Sequence, residues 1–534
     1  MPPDRAKNAC IPCRERKRKC DGKEPCQSCA KANYDCKYDH RPRTRRPARK
    51  SPTEGSTQRT HMKPTVTPDE PISAPLSADV NSAAVLARKL GFSSTESTIP
   101  GGLRLFAWNL GIGEKPTEYL APLPLCEILT VDAMRGLASV YFAEVHTAYN
   151  FADLDMVDVA IETIPEQQLF DPVQCVLLGI AALGCLFSPQ PKNIEAQIVH
   201  SARVTLEHST TLELPSVDHG TGWLLRVLYL RLTSSPHAAW MASCTLMHMV
   251  ETTNLHLEPS GTMPTATDIG YTPDSRRRLY CVSQLFHMWI SYDYGRSRVN
   301  LRGASCSLPT EGLTADQITI WQLSDALDVD RYLDTTELEN LLRKTIALKL
   351  SHPLLQLKRC SIGMCIYRRI RAFGRTGTGE VTGLVLQLAG EGVDTAVDLA
   401  YTRSPWWHIA HVPFQVICVL LAIDSRSSLE GVRKSFRALQ VIADCYGTNV
   451  LKEAVASASY IIGIQLQRKK EEYDLLNSMA SDILTNEINN AGSLGQSPLN
   501  PDFGLQQTDT GHYNYGEFLD LDQLFTANLF APYG

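Results

Sequence analysis

Across residues 123–476, apolar side chains return at i, i+3, i+4 and i+7. That spacing turns one face of an α-helix toward a core, and runs that alternate with a period of two are scarce. The pattern predicts helices over 137–145, 173–187, 194–206, 223–232, 238–250, 277–292, 337–350, 383–389, 414–423, 431–446 and 449–476. In the fifth, Trp240, Cys244 and Met247 fall on one face. Pro189-Gln190-Pro191, Ser234 to Pro236 and Pro259 to Pro273 punctuate the series. The expected fold class is all-α, with one large helical body.

Outside that body the periodicity fails. Residues 51–100 hold many Pro, Ser and Thr and few large apolars, the composition of a flexible linker, and the linker is expected to span 51–122. Residues 40–50, HRPRTRRPARK, carry six bases, two prolines and no acid, which reads as a disordered basic arm for phosphate contact or nuclear import. Pro42, Pro47 and Pro52 break any helix there, and no a/d apolar repeat follows. A coiled-coil dimer is therefore not expected at this point; a monomer on DNA and a homodimer through the body both stay open. At the other end, 513–530 reads YNYGEFLDLDQLFTANLF. Tyr515, Phe518, Leu519, Leu521, Leu524 and Phe525 alternate with Glu517, Asp520 and Asp522, the composition of a disordered activation segment. Such a segment folds as a helix in a coactivator groove; the alternative is a terminal helix docked on its own body. The expected division is 1–50, a basic head with its arm; 51–122, linker; 123–476, helical regulatory domain; and 477–534, acidic tail.

Charge sharpens this division. The chain has 534 residues, 43% of them hydrophobic, enough for three or four domain-sized units. The net charge of −5 argues at face value against a nucleic-acid partner. The distribution reverses that argument: residues 1–50 hold 16 Lys and Arg against 6 Asp and Glu, while ten acids and no Lys or Arg follow from Glu471 onward. Nucleic acid at one end and protein partners at the other are implied. The longest apolar run, 175–187, is too short to span a bilayer, so no membrane partner is expected. Residues 1–10 lack the apolar region of a secretory signal, which places the 16 cysteines in a reducing compartment.

Six of those cysteines, Cys10, Cys13, Cys20, Cys26, Cys29 and Cys36, follow C-x2-C-x6-C twice. A C-x2-C pair converges two thiolates on one metal ion, and a short helical run later the chain returns a third. Two tetrahedral zinc sites need eight sulfur positions, which six cysteines supply if two of them bridge. Zinc suits sulfur tetrahedra and carries no redox liability. The two halves differ in charge: 14–19 holds five bases in six residues, 30–35 one. Only the first half is built to lie in a DNA groove, offering Arg or Lys to guanine.

The segment resembles the fungal binuclear zinc-cluster (Zn2Cys6) DNA-binding domain, down to the run CRERKRKCDG from Cys13 to Gly22. The resemblance implies two Zn2+ ions, with Cys10 and Cys26 bridging, Cys13 and Cys20 completing one site and Cys29 and Cys36 the other. It places base reading on Lys17 and its neighbours Arg16 and Arg18, with CGG-type triplets of double-stranded DNA as target. Arg14, Lys19 and Lys23 are then the phosphate contacts, which position without specifying. A second resemblance, to the fungal-specific transcription factor domain, rests on Tyr141-Phe142-x2-Val145-His146-x2-Tyr149-x-Phe151, on Ala238-Ala239-Trp240-Met241, and on Arg276-Arg277-Arg278-Leu279-Tyr280 with Asp293, Gly295-Arg296 and Pro309. Ser297 stands where that family usually has proline. Together the two cover about 10–40 and 123–310, with a looser likeness to about 475. They imply a nuclear, zinc-dependent RNA polymerase II transcription factor, an activator, regulating a biosynthetic gene cluster; the alternatives are a metabolite-responsive regulator of nutrient catabolism or a repressor. The arginine run is expected to be structural, Arg277 or Arg278 pairing with Asp293, against the alternative of an anionic effector site.

Enzyme constellations are missing from the body. The glycine-rich 374–379 lacks the Lys-Ser/Thr of a P-loop, and neither H-E-x-x-H nor G-x-S-x-G occurs. Cys360-x4-Cys365 has no second pair, and the ten cysteines of the body are expected as small buried apolars. Trp406-Trp407 is expected in the helix core, and His287, His408 and His411 share no ligand face. No catalytic residue is assigned.

Overall fold

Helices are the regular elements among the described residues of the computed structural model, and no strand occurs among them. The structure describes residues 10–15, 20–32, 34–38, 82–91, 107–113, 121–164, 169–189, 194–212, 215–259, 270–311, 313–328, 331, 333–373 and 379–491. The chain divides into two compact units, Met1–Ser73 and Ala74–Gly534. The first carries two single-turn helices, α1 (Ile11–Glu15) and α2 (Gln27–Ala32).

The second unit is the helical body. After α3 (Ala83–Gly91) and α4 (Leu125–Ile128), α5 (Val131–Tyr141) passes into a π-helical turn, Phe142–His146, and ends in α6 (Thr147–Tyr149). Then come α7 (Leu154–Glu162), α8 (Pro172–Phe187), α9 (Glu195–Leu212), α10 (Val217–Thr233), α11 (Pro236–Thr252) and α12 (Pro273–Tyr294). The second half holds α13 (Ala315–Asp325), α14 (Thr335–Ala347), α15 (Pro353–Ala372), α16 (Gly379–Tyr401), α17 (His408–Ile423), α18 (Arg426–Tyr446) and α19 (Asn449–Ala491). Consecutive helices pack as neighbours from α8 to α12 and again from α14 to α18, and alternate ones also touch, as α8 on α10 and α16 on α18. No described helix is long and apolar enough to cross a membrane.

Local chemistry sets the boundaries. Asp171 accepts the Val173 N–H at 3.1 Å and Pro172 opens α8, satisfying the free donors of a first turn. Thr272 and Pro273 do the same for α12, which stops at Gly295 with φ of 68°, a left-handed residue that costs glycine little. α8 and α17 are apolar nearly all round and lie buried on every face; α18 shows a single apolar stripe and keeps its other side in solvent.

The structure corrects several expectations. The linker reading fails for two pieces of 51–122. Ala83, Leu86, Ala87 and Leu90 form a buried helical stripe packed on α17 and α19, and Ser82 Oγ donates to the Asp293 carbonyl at 2.7 Å. Trp108 and Leu110 are also buried, with the Leu110 carbonyl accepting from Thr448 Oγ1 at 2.5 Å. The first is a short apolar cluster next to Ser/Pro-rich sequence, too brief to register against that background; the second lies in the apolar run 103–112, which is too short and glycine-flanked to show a helical period. The boundary at 476 falls inside α19. The arginine pairing also differs: Arg277 bonds Glu258 and Asp274, and these acids take the Ser307 N–H (2.8 Å) and Thr310 Oγ1 (2.7 Å), fastening the loop after α12. Asp293 is the partner of Arg231 instead, at 2.9 Å. Arg231 is fully buried, stacked against Trp108 and Trp407 with ring centroids 3.7 and 4.5 Å away. Burial brings its pKa down to about 10 against the pull of Asp293, whose carboxyl is held well below its usual range by His411 and Arg231 despite its burial. Trp406 and Trp407 are core residues, as expected.

Candidate metal centre

The cysteines are the core of the head. Cys10, Cys13, Cys26 and Cys29 are buried, Cys20 and Cys36 half-buried, and Tyr38 packs against them. The repeat is visible in the backbone: Cys10 precedes α1 and Cys26 precedes α2, so each C-x2-C pair wraps the first turn of a helix. The carbonyl of Cys26 accepts from the Cys29 and Ala30 N–H groups at 3.0 and 2.9 Å. Asp21 caps α2, accepting the Gln27 N–H at 3.2 Å. The Ile11 N–H donates to the Lys37 carbonyl at 2.8 Å, joining the two ends of the repeat.

The sulfurs fall into two groups of four: Cys10, Cys13, Cys20 and Cys26, and Cys10, Cys26, Cys29 and Cys36. Within each group all lie within 4.8 Å of one another, and Cys10 and Cys26 belong to both. Cys10 and Cys26 are 3.7 Å apart, Cys13 and Cys26 3.5 Å, Cys10 and Cys29 3.6 Å, and Cys20 and Cys10 3.9 Å. A tetrahedron with metal–sulfur bonds of about 2.3 Å has edges of ~3.8 Å. A disulfide needs about 2.05 Å, and every cysteine is free. Six sulfurs this close cannot all ionise without cations to offset the charge. An all-sulfur donor set at tetrahedral spacing fits zinc.

Two residues that the cysteine spacing gives no sign of complete the head. Tyr38 donates its hydroxyl to the Lys23 carbonyl at 3.0 Å and stands 3.4 Å from Cys20 Sγ. Together with Asp21 it holds the loop that joins the two halves.

The expected DNA contacts are less fully placed. Arg14 sits in α1 but its side chain is outside the described residues, as are Arg16, Lys17, Arg18 and Lys19. Lys23 is exposed, and its N–H lies 3.4 Å from Asp21 Oδ1. The basic arm at 40–50 and the segment 513–530 also fall outside the described residues.

Among the described residues no other group of three His, Cys, Asp or Glu converges on a metal position. Six of the ten body cysteines are buried, Cys244, Cys306 and Cys445 are half-buried, and Cys126 is exposed. His287 lies between Ser243 Oγ (2.9 Å) and the Val299 N–H (2.7 Å), while His411 Nε2 stands 3.5 Å from Asp293.

Comparison with known proteins agrees with this geometry. The family pattern described as the fungal Zn(2)-Cys(6) binuclear cluster domain matches residues 8–45, and that of the fungal specific transcription factor domain matches 138–358. The transcription factor kojR of Aspergillus oryzae is 35% identical over 485 residues, covering 88% of this chain and 85% of that protein. Protein RDR1 of Gibberella zeae is 33% identical over 98% of each chain. A probable transcriptional repressor of Schizosaccharomyces pombe, C1348.12, is 24% identical over 48% of this chain and 62% of its own length.

Proposed function

The chain belongs to the fungal Zn(2)-Cys(6) cluster transcription factors, zinc-binding regulators rather than enzymes, and from that premise we propose that it reads CGG-type triplets in double-stranded DNA and activates transcription in the nucleus. The observation that carries this reading is the pair of four-sulfur groups sharing Cys10 and Cys26, with five bases in the six residues between Cys13 and Cys20. In it Cys10 and Cys26 bridge two zinc ions, Cys13 and Cys20 complete one site, and Cys29 and Cys36 the other. Bound zinc ties the two halves of the repeat together. Arg16, Lys17 and Arg18 then reach base edges, and Arg14, Lys19 and Lys23 neutralise phosphates.

The test compares Lys17→Ala with the parent chain on CGG-containing and on random duplexes. Loss of a base contact costs about 1–3 kcal/mol on the specific site and little on random DNA. An equal loss on both makes Lys17 a phosphate contact and removes it from base reading.

Activation is assigned to the tail, whose 513–530 segment alternates acids with aromatics and leucines. Fusing 490–534 to an unrelated DNA-binding domain should induce a reporter; silence would favour repression, the activity in the printed name of the fission-yeast relative. The proposed targets are the genes of a biosynthetic cluster, a reading that rests on family habit and is settled by mapping bound sites across the genome.

A further inference from the structure

α19 is the longest helix among the described residues, and only its first half is packed. Leu451, Ala454, Ala458 and Ile461 are buried, against α3, α17 and α18. Two contacts mark where the helix leaves the body: Gln465 Nε2 donates to the Leu90 carbonyl at 3.1 Å, and Lys469 Nζ reaches Asp424 at 2.5 Å. From Tyr473 to Ile483 every residue is exposed. Leu466, Tyr473, Leu475, Leu476, Met479 and Ile483 are 52–70% exposed, and they make up nearly half of the exposed large apolar side chains among the described residues. Such side chains scattered singly are ordinary; gathered on one face they mark a contact surface.

Their spacing says what kind of surface it is. Leu466, Tyr473, Leu476, Ala480 and Ile483 follow one another at intervals of seven, three, four and three, the a/d seam of a coiled coil, with Lys469 its one polar member. The seam is about 26 Å long. A helix that projects into water with no packed face is only marginally stable, so the seam calls for a partner. Charge selects that partner. This half of α19 carries Glu471, Glu472, Asp474 and Asp482, and no Lys or Arg follows Lys470 to the end of the chain. The acidic segment 513–530 therefore meets like charge there. A second α19 laid parallel would set Lys469 on Lys469 within the seam and Ala480 on Ala480. Laid antiparallel, with the two-fold axis between Tyr473 and Leu476, Leu466 meets Ile483 of the second copy and Tyr473 meets Leu476. Lys469 then faces the small Ala480, which leaves its ammonium free to stay with Asp424. The run Arg468 to Lys470 of each helix comes alongside the stretch ending at Asp482 in the other.

We propose that two copies of this chain dimerise through residues 466–483 of α19, paired antiparallel. The dimer carries two zinc heads on one assembly, so a DNA site with two triplets is held by both heads at once. The pairing stands independently of which bases the head reads.

The test follows the full-length, zinc-loaded chain by sedimentation over a range of concentrations, where a monomer–dimer equilibrium is expected. Leu476→Glu should raise the dissociation constant at least about tenfold, whereas Val159→Glu, at an exposed site on α7, should leave it unchanged. Orientation is read from charges placed at 466 and 483. Leu466→Glu and Ile483→Lys should each weaken the dimer, and both together in one chain should restore it, because only the antiparallel pair brings those positions together. These α19 positions are exposed, so the variants should keep the thermal transition of the body. A chain that stays monomeric, a dimer indifferent to Leu476→Glu, or no rescue by the double variant would each overturn the proposal. So would a monomer that pairs only when Phe518→Glu and Leu521→Glu are introduced, an outcome that makes the acidic tail the occupant of the seam.

Discussion

At the scale of single residues, position in the fold decides what a cysteine or a histidine does. Cys26 belongs to both sulfur groups, so its loss removes a position from each. Cys26→Ser should therefore drop bound zinc below the two ions per chain of the parent, measured by atomic absorption. Cys126→Ser, at an exposed cysteine of the body, should leave the zinc content unchanged. His287 shows the opposite use of a titratable group. Its Nε2 accepts the Val299 N–H, which leaves Nδ1 to donate to Ser243, so both nitrogens are satisfied only in the neutral ring. Burial, reinforced by Arg298 and His248, pushes its pKa down to about 3. The unfolded chain takes up this proton near pH 6.5 and the folded one only near 3. Stability due to this group is thus complete above pH 6.5 and falls as pH drops toward 3, by about 1.4 kcal/mol per unit. The urea midpoint of the full chain should fall between pH 6.5 and 4, and fall less in His287→Gln.

At the scale of elements, close helix approach rests on glycine at particular crossings. A Cβ on Gly184 of α8 would lie 2.4 Å from the Leu137 carbonyl oxygen of α5. Backbone cannot give way there, so Gly184→Ala should destabilise by about 1–3 kcal/mol in thermal unfolding. Gly136, exposed on α5, meets nothing, and Gly136→Ala should stabilise by up to about 1 kcal/mol through helix propensity alone. The elements also show where periodicity fails as a guide. The apolar pattern predicts α8, α10, α11, α12, α17 and α18, with ends displaced by a few residues. It misses α15 altogether, because Lys358, Arg359, Arg368, Arg369 and Arg371 interrupt the stripe, yet all five are buried. Arg359 reaches Glu391 at 2.5 Å, and Arg369 reaches the carbonyls of Ala326, Asp328 and Arg331 just beyond α13. Those partners are remote in sequence, so no local window reveals them. Likewise α7 and α13 are short, and α3 lies in a Ser/Pro-rich stretch.

At the scale of the whole molecule, the two compact units should respond separately to metal removal. Folding of the head is coupled to zinc, because without cations its buried sulfurs have neither a charge partner nor an apolar core to replace them. The body owes its stability to helix packing. A chelator should therefore abolish DNA binding and unfold residues 10–36, while the thermal transition of the body persists, with circular dichroism following both. The charge map has the same two-part form. A head balance of +10 within residues 1–50 gives DNA affinity a steep salt dependence even though the whole chain carries −5.

The sequence by itself determined the metal chemistry and the class of fold. Ligand spacing and helical periodicity are local properties, written within a few tens of residues. That is why the repeat of six cysteines, the basic run beside it and most of the helices were legible before any coordinate. The tertiary structure alone decided which charges are buried together. It paired Arg231 with Asp293 across 62 residues, drew Ser82 and Trp108 out of an apparent linker into the body, and buried Lys358 against the rings of Tyr149 and Trp289. A buried charge is stable only against a partner the fold brings to it, and that partner has no fixed place along the chain.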